Sequence, residues 1–219
     1  MAQEYVVIGL GSFGKALVEA LDGLGASVLA IDIDAAAVQQ VSNEMDVFAV
    51  RADATDESAL RELEVQQMDC AVVALGAEAK DASILATALL AQLGVPQIVA
   101  RSLGPLHSRV LRAVGAHQVV NPEEEIGRRL ARQLATPAVL DRLELGEEAI
   151  LAEVEAPESF MGKSLAEIDI RRRFKITVVA LRRGEKVIAT IDPRRKFRSG
   201  DIMVVLGNEE AIEKLGARA

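Results

Sequence analysis

Cysteine, histidine and aromatic side chains are scarce in this chain of 219 residues, which contains one cysteine, two histidines, one tyrosine and no tryptophan. The single cysteine, Cys70, excludes an internal disulfide and a thiolate zinc site. The longest apolar runs, such as residues 84–91, are far shorter than the about 18 to 20 residues that cross a bilayer. The first residues also lack the basic and apolar regions of a secretory signal. We therefore expect a cytoplasmic protein that does not insert into a membrane.

Basic side chains are outnumbered, because 25 Lys and Arg face 33 Asp and Glu, for a formal net charge of −8. General nucleic-acid binding needs a basic face, so this balance argues against a nucleic-acid partner. The charge is also uneven: residues 1–144 contain 11 basic and 20 acidic side chains, whereas residues 145–219 contain 14 basic and 13 acidic ones. The asymmetry predicts two lobes with different surroundings.

Short apolar runs rich in β-branched residues alternate with segments of helical periodicity over the first 120 residues. The predicted strands span residues 5–8, 27–31, 47–50, 71–74, 98–100 and 118–120. The predicted helices lie near residues 14–22, 35–44, 56–63, 80–93 and 106–114. The strand runs are mostly apolar throughout, as in parallel strands covered on both faces. Residues 1–121 therefore predict a Rossmann-type, doubly wound parallel α/β sheet.

The pattern changes after Pro122. Three glutamates, 123–125, begin a helix that is predicted to end near Thr136-Pro137, and residues 122–144 are interpreted as crossover or linker helices. The following strands are predicted at 149–154, 176–181, 186–189 and 201–207, with a hairpin turn at Gly184 and a closing helix at 209–215. Residues 145–219 thus predict a second, smaller α+β lobe.

A glycine motif, G-x-G-x-x-G, directly follows the first predicted strand. In a dinucleotide fold, Gly9 would permit the tight turn, Gly11 would let the backbone approach a pyrophosphate, and Gly14 would let the helix pack closely on the sheet. Asp32 ends the second strand about 20 residues later, as this fingerprint requires. Its carboxylate would accept hydrogen bonds from ribose hydroxyls, which makes NADP an improbable ligand.

Two further loops follow strands at the edge where ligands of open α/β sheets bind. Asp53 and Thr55, after the third strand, would meet the adenine edge of a nucleotide, or else cap the third helix, for which Thr55 and Asp56 are both candidates. Ala74 and Gly76, after the fourth strand, are small enough to admit a nucleotide.

A Rossmann-type lobe most often belongs to a dehydrogenase, in which a proton donor or acceptor lies near the nicotinamide that transfers the hydride. Few residues of this chain are candidates for that proton transfer. Tyr5 lies on the first strand and has no Tyr-x-x-x-Lys partner, while His107 and His117 occupy positions more typical of surface or capping histidines. A Ser-His-Asp set, a His/Cys metal spacing and a P-loop ending are also absent from the sequence. The sequence thus favours a nucleotide-binding protein that is not an enzyme. An NAD(H)-dependent oxidoreductase or redox sensor remains the alternative.

Six segments of the chain resemble the KtrA/TrkA regulators of potassium uptake: residues 6–14, 29–32, 52–55, 73–76, 115–123 and 197–207. The resemblance implies an RCK protein with a TrkA-N lobe and a TrkA-C lobe. It also implies homodimers that assemble into an octameric ring beneath a membrane-embedded potassium channel subunit, with ATP and ADP favouring different ring shapes.

The same resemblance assigns residues to the nucleotide. Gly9, Gly11 and Gly14 match the phosphate turn, Asp32 matches the ribose carboxylate, and Arg101 matches a basic position near the phosphates. The complete predicted set is Gly9, Gly11, Ser12, Phe13, Gly14, Asp32, Asp53, Ala54, Thr55, Ala74, Gly76 and Arg101.

Two family positions bear on the phosphates. Ser12 replaces an arginine that contacts the γ-phosphate in the family, which leaves ADP, AMP and NAD(H) as alternatives to ATP. Glu123 resembles a carboxylate that joins the phosphates through Mg²⁺ or Ca²⁺ at the dimer interface. The alternative for Glu123 is a helix-start acid.

In the second lobe, Leu165, Ala166, Asp169 and Arg171 resemble a segment that binds cyclic di-AMP in some relatives, where Arg171 would face a phosphate. The alternative is a solvated basic turn. A freestanding cyclic-dinucleotide receptor is accordingly a third possible function.

Overall fold

The computed structural model describes residues 3–146 and 149–217. The chain divides into two compact units, the first ending at Glu124 and the second beginning at Glu125. Within the described residues, no helix combines the length and the apolar composition that a membrane span requires.

The first unit is built on six parallel strands. These are β1 (Glu4–Ile8), β2 (Ser27–Asp32), β3 (Phe48–Arg51), β4 (Cys70–Val73), β5 (Gln97–Arg101) and β6 (Gln118–Val120). They lie side by side in the order β3-β2-β1-β4-β5-β6. This arrangement confirms the predicted doubly wound sheet.

Six helices follow or flank these strands. They are α1 (Ser12–Gly23), α2 (Ala35–Glu44), α3 (Glu57–Glu62), α4 (Lys80–Gln92), α5 (Pro105–Ala113) and α6 (Pro122–Ala135), the last of which continues into the second unit. Val18 of α1 packs with Val7 on one face of the sheet, whereas Leu90 of α4 packs with Val6 on the other. Because both faces are covered, the strands are apolar throughout.

The second unit contains an antiparallel sheet and three short helices. Its strands are β7 (Val139–Glu144), β8 (Ile150–Glu155), β9 (Thr177–Arg183), β10 (Lys186–Ile188) and β11 (Asp201–Gly207), in the order β10-β9-β11-β8-β7. Its helices are α7 (Leu165–Ile168), α8 (Ile170–Phe174) and α9 (Glu209–Gly216). Phe160 lies at its core, with ring centroids 5.7 Å from Phe174 and 5.8 Å from Phe197.

The prediction of linker helices over residues 122–144 is wrong for the last six residues, 139–144. Helix α6 ends at Ala135, and Val139–Glu144 forms the strand β7 instead. This strand pairs only with β8 at the edge of the sheet. An edge strand buries few side chains, so it carries little of the apolar alternation that reveals a strand in sequence.

An ion pair between a buried aspartate and an arginine joins β11 to β9 in this second sheet. Asp201, which is 1% exposed, accepts hydrogen bonds from Arg183 Nε at 2.6 Å and from Arg183 Nη2 at 2.7 Å. The backbone N–H of Arg198 donates to the same carboxylate at 2.9 Å. Burial alone would raise the pKa of Asp201, but these donors outweigh it and hold the pKa below its usual value.

Replacement of Asp201 by asparagine should destabilise the second unit by about 2 kcal/mol at pH 7, because the buried side chain loses its charge-assisted hydrogen bonds to the partly exposed Arg183. A lowered pKa in the folded state means that the carboxylate stabilises the fold above its unfolded pKa and ceases to do so as the pH falls through the folded value. The difference between the variant and the wild type should therefore shrink in strong acid. Hydrogen exchange of the β11 amides measures both effects.

The matched control is Glu153→Gln. Glu153 pairs with Arg182 at 2.6 Å, but both side chains are 32% exposed. A solvated pair of this kind contributes at most about 1 kcal/mol. Equal losses of stability in the two variants would contradict the view that the burial of Asp201 makes its ion pair the stronger one.

Candidate nucleotide-binding site

The strand order of the first sheet reverses between β1 and β4. In open α/β sheets, ligands bind outside the carboxyl ends of the strands at such a reversal. A crevice of about 90 Å³ opens at the ends of β1 to β4, which is small and partly open to solvent compared with a closed small-molecule pocket. Five of the predicted residues line it: Gly9, Asp32, Asp53, Ala54 and Thr55.

The glycine turn is fixed by a close approach of α1 to β1. Gly9 has a φ of +96°, in the region that favours glycine. A Cβ on Gly14 would lie 1.8 Å from the carbonyl oxygen of Gly9. No side chain fits in that space, so the helix can start this close to the strand only with glycine at position 14.

Gly11 differs, because nothing in the described chain demands a glycine there. Its φ is −66°, and an added Cβ would meet no atom within 4 Å. Gly11 is also the N-cap of α1 and provides no side-chain cap. The backbone N–H groups of Ser12 and Phe13 have no acceptor among the described residues. A helix N-terminus with free N–H groups and an open approach is suited to bind phosphate.

Asp32 has a structural role that the sequence did not reveal. Its Oδ2 accepts from the N–H of Leu10 at 2.6 Å, and its Oδ1 accepts from the N–H of Asp34 at 2.8 Å. The carboxylate therefore ties the glycine turn to the end of β2. Each carboxylate oxygen has a second lone pair, so Asp32 can still accept a hydrogen bond from a ribose hydroxyl.

Asp53 and Thr55 form a compact turn at the crevice. Asp53 Oδ1 accepts from the Thr55 hydroxyl at 2.7 Å and from its N–H at 2.9 Å. These two bonds, that of the hydroxyl first, hold the pKa of Asp53 below its usual value. The N-cap of α3 is Asp56, which accepts from the N–H groups of Ser58 and Ala59. Asp53 and Thr55 are therefore not the cap of that helix.

Arg101, at the end of β5, lies beside the phosphate turn. Its guanidinium carbon is 5.6 Å from the centroid of the Phe13 ring, within the reach of a cation–π contact. Its Nη2 donates to Oε1 of Glu123, in the first turn of α6. The backbone N–H of Glu123 first, and Arg101 second, hold the pKa of Glu123 below its usual value. The structure thus brings together three residues that are far apart in sequence.

Comparison with known proteins decides the family. Residues 5–122 match the TrkA-N domain and residues 150–219 match the TrkA-C domain. The chain is 37% identical over 218 residues to Ktr system potassium uptake protein C of Bacillus subtilis, with 100% of this chain and 98% of that protein covered. This chain belongs to the KtrA/TrkA family. Ktr system potassium uptake protein A of the same organism is 30% identical over 212 residues, with 97% and 95% covered.

Solved structures similar to this KtrA/TrkA protein were determined with nucleotides. The GsuK channel bound to NAD matches 99% of this chain with a TM-score of 0.67 at 19% identity, and this chain spans 40% of that one. GsuK bound to ADP matches 62% of this chain, and 35% of its own, with a TM-score of 0.56 at 19% identity. The AMP-bound Kef CTD of Shewanella denitrificans matches 62%, and 81% of its own chain, with a TM-score of 0.53 at 19% identity. These likenesses establish the fold.

Several crevice residues of this KtrA/TrkA protein were not predicted. Its apolar wall includes Ile33, Leu75, Ala79 and Ala82. Ile33 is 60% exposed, which is unusual for a large apolar side chain that directly follows a buried strand. That position, next to Asp32, is the signal that could have revealed it.

The loop after β4 was predicted to admit a nucleotide, and its two small residues have different surroundings. Ala74 is buried, and its N–H donates to the carbonyl of Ile8 at 2.7 Å, which joins the ends of β4 and β1. A Cβ on Gly76 would lie 2.4 Å from a carboxylate oxygen of Glu78. Gly76 therefore leaves room for a side chain of the protein itself.

The predicted metal role of Glu123 requires ligands from elsewhere. Over residues 3–146 and 149–217, no cluster of three or more His, Cys, Asp or Glu side chains could hold a metal ion. Glu123 is paired with Arg101. A divalent cation would thus fit here only if the phosphate oxygens of a nucleotide supplied most of its ligands.

His107 is not the surface or capping residue that its sequence position suggests, because it is only 2% exposed. Its Nδ1 accepts from the N–H of Leu103 at 3.2 Å, and its Nε2 lies 3.0 Å from the hydroxyl of Ser83. Since that hydroxyl donates to the carbonyl of Lys80, Nε2 is the donor. Burial lowers the pKa of His107, so a neutral imidazole joins α4 to α5. Spacing along the chain carries no sign of this burial.

The residues predicted for cyclic di-AMP lie in one segment of the second unit. Leu165 and Ala166 begin α7, Asp169 has a φ of 51° between α7 and α8, and Arg171 is an exposed residue of α8. Arg171 makes no ion pair with any described residue. These positions agree equally with a solvated basic turn, and cyclic di-AMP binding stays a prediction.

The two glycines of the phosphate turn should respond oppositely to alanine. Gly11→Ala should cost the fold at most about 1 kcal/mol, because alanine is a poorer N-cap than glycine, but weaken adenine-nucleotide binding about tenfold or more, the equivalent of one or two lost charge-assisted hydrogen bonds. Gly14→Ala should destabilise the first unit itself, because its Cβ overlaps the Gly9 carbonyl. Thermal unfolding and calorimetric titration measure the two effects. Undiminished nucleotide binding by Gly11→Ala would contradict the phosphate assignment.

Proposed function

We propose that this chain is the cytosolic, nucleotide-binding regulatory subunit of a potassium uptake system. The observation that carries the proposal is the open phosphate cradle at the N-terminus of α1, in a chain that is 37% identical over its full length to a Ktr system potassium uptake protein. A nucleotide bound there acts as a ligand that favours one conformation over another. The cellular location follows from that role beside a membrane partner.

The ligand is an adenine nucleotide with at least two phosphates. Asp32 supports a ribose with a free 2′-hydroxyl, and the free N–H groups of Ser12 and Phe13 support a diphosphate. Ser12 offers a hydroxyl where a charged donor would favour a third phosphate. ADP and NAD(H) therefore fit this chain at least as well as ATP, and AMP fits with fewer contacts.

Neither Tyr5 nor His107 lines the crevice, so neither is placed there as a proton donor for hydride transfer. The Tyr5 hydroxyl donates to Gln3 Oε1 at 2.6 Å, at the amino end of β1 and so away from the crevice. His107 is neutral and both of its ring nitrogens are engaged. These placements support a regulatory role over an oxidoreductase.

The partners proposed are further copies of this chain and a membrane-embedded potassium channel subunit. An apolar stripe on α6 supports self-association: Ile126, Leu130 and Leu134 recur every fourth residue and are 60%, 52% and 72% exposed. Such a stripe is expected to be covered by another helix. We propose a homodimer formed through this stripe, as the unit from which an octameric ring is assembled.

Nucleotide titrations test the function directly. We expect ADP, ATP or NAD(H) to raise the unfolding temperature by an amount that grows with the logarithm of the ratio of ligand concentration to Kd, and to change the scattering mass or the radius of gyration of the assembly. Turnover of NADH with a substrate would overturn the regulatory role in favour of the oxidoreductase. Binding of no adenine nucleotide would overturn both.

The stripe on α6 can be tested separately. Leu130→Asp should shift the protein from dimer to monomer in light scattering, because a carboxylate would be buried without a partner at the interface. The control is Leu24→Asp at the end of α1, where the side chain is 83% exposed and lies outside the stripe. A monomeric wild type, or equal dissociation of both variants, would contradict a dimer formed through α6.

A further inference from the structure

Arg101 is the basic side chain that the fold brings to the phosphate turn. Its guanidinium lies over the ring of Phe13, the second residue of α1. The N–H groups of Ser12 and Phe13, in the first turn of that helix, have no acceptor among the described residues. The side chain is only 16% exposed, so its charge is held at this place. An arginine fixed beside a helix N-terminus is suited to bind the same phosphate group.

In the structure, however, this guanidinium already has an anionic partner. Its Nη2 donates to Oε1 of Glu123, whose side chain is 60% exposed at the first turn of α6. The Nε of Arg101 is buried and has no hydrogen-bond acceptor among the described residues. Glu123 therefore accepts a hydrogen bond from Nη2 and leaves the buried Nε without an acceptor. A group that accepts from both nitrogens could replace Glu123.

A phosphate is such an acceptor. It carries more charge than a carboxylate and can accept two N–H bonds from one guanidinium, including one from Nε. We propose that Glu123 is an internal competitor for Arg101, and that a nucleotide phosphate takes this arginine over and releases the carboxylate at the first turn of α6. This inference rests on the proposed function, because it assumes that an adenine nucleotide occupies the crevice.

The exchange would convert phosphate binding into a change at α6. The first turn of this helix belongs to the first unit, and the helix continues into the second. Before binding, the ion pair ties that turn to the end of β5. After binding, the turn keeps its cap, since Asn121 Oδ1 accepts from the N–H of Glu124 at 3.2 Å, but it loses the tie to Arg101.

This competition predicts an effect opposite in sign to that of a cation ligand. If Glu123 only held a divalent cation against the phosphates, its loss would weaken nucleotide binding in Mg²⁺ and have no effect without the metal. As a competitor, its loss should strengthen binding in the absence of divalent cations.

The test is calorimetric titration of ADP in EDTA. We expect Glu123→Gln to bind ADP about fivefold more tightly than the wild type, which is the effect of removing one partly solvated ion pair. The control is Glu125→Gln, which removes another exposed acid from the first turn of α6, one that forms no ion pair with Arg101; its affinity should be unchanged. Arg101→Gln should bind more weakly, and adding Glu123→Gln to it should give no gain.

A second readout follows the helix. Hydrogen exchange over residues 122–128 should rise when ADP is added to the wild type, and it should already be high in Glu123→Gln before ADP is added. Thermal unfolding of each variant reports whether the fold is intact, which matters most for Arg101→Gln because that side chain is only 16% exposed.

The outcomes separate the two proposals. If the wild type binds no adenine nucleotide, the proposed function fails. If the wild type binds ADP but Glu123→Gln binds no more tightly than Glu125→Gln in EDTA, the competition is overturned while the function stands. A gain from Glu123→Gln that persists in the Arg101→Gln background would also overturn it, because the carboxylate would then act by general repulsion.

Discussion

The close contact between Gly14 and the carbonyl of Gly9 is the constraint on which the site depends. Because no atom can stand between them, the start of α1 is fixed directly above the carboxyl end of β1. The helix N-terminus, with its free N–H groups, is thereby placed at the reversal of strand order between β1 and β4. The phosphate cradle is thus a consequence of close packing and needs no dedicated side chain.

Asp32 shows that one carboxylate can serve the fold and the ligand together. By accepting from the N–H of Leu10 and of Asp34, it holds the glycine turn against β2 and satisfies two backbone donors. Asp32 lines the crevice, and each of its oxygens has a further lone pair that could accept from the proposed ligand. Asp32, about 20 residues after the glycine motif, therefore holds the glycine turn in place in addition to its expected role in ribose recognition.

What could be predicted from the sequence follows from how local each signal is. The strands, the glycine turn and Asp32 were found because apolar periodicity and φ requirements act over a few neighbouring residues. The pairing of Arg101 with Glu123 joins residues 22 apart on different elements, and the burial of His107 arises only when two helices pack. The edge strand at Val139–Glu144 was missed because it is paired on one side and half polar.

The contacts of Arg101 with Phe13 and Glu123 would decide how the proposed site binds a phosphate. With serine at position 12, the proposed cradle offers N–H groups, the helix dipole and the guanidinium of Arg101, which pairs with Glu123. A phosphate that pairs with Arg101 would therefore have to displace Glu123 first. Such an exchange gives up net affinity, because the ion pair with Glu123 must be broken, and in return it links ligand binding to the first turn of α6. A regulatory site needs that link, since a ligand that binds two states equally shifts neither.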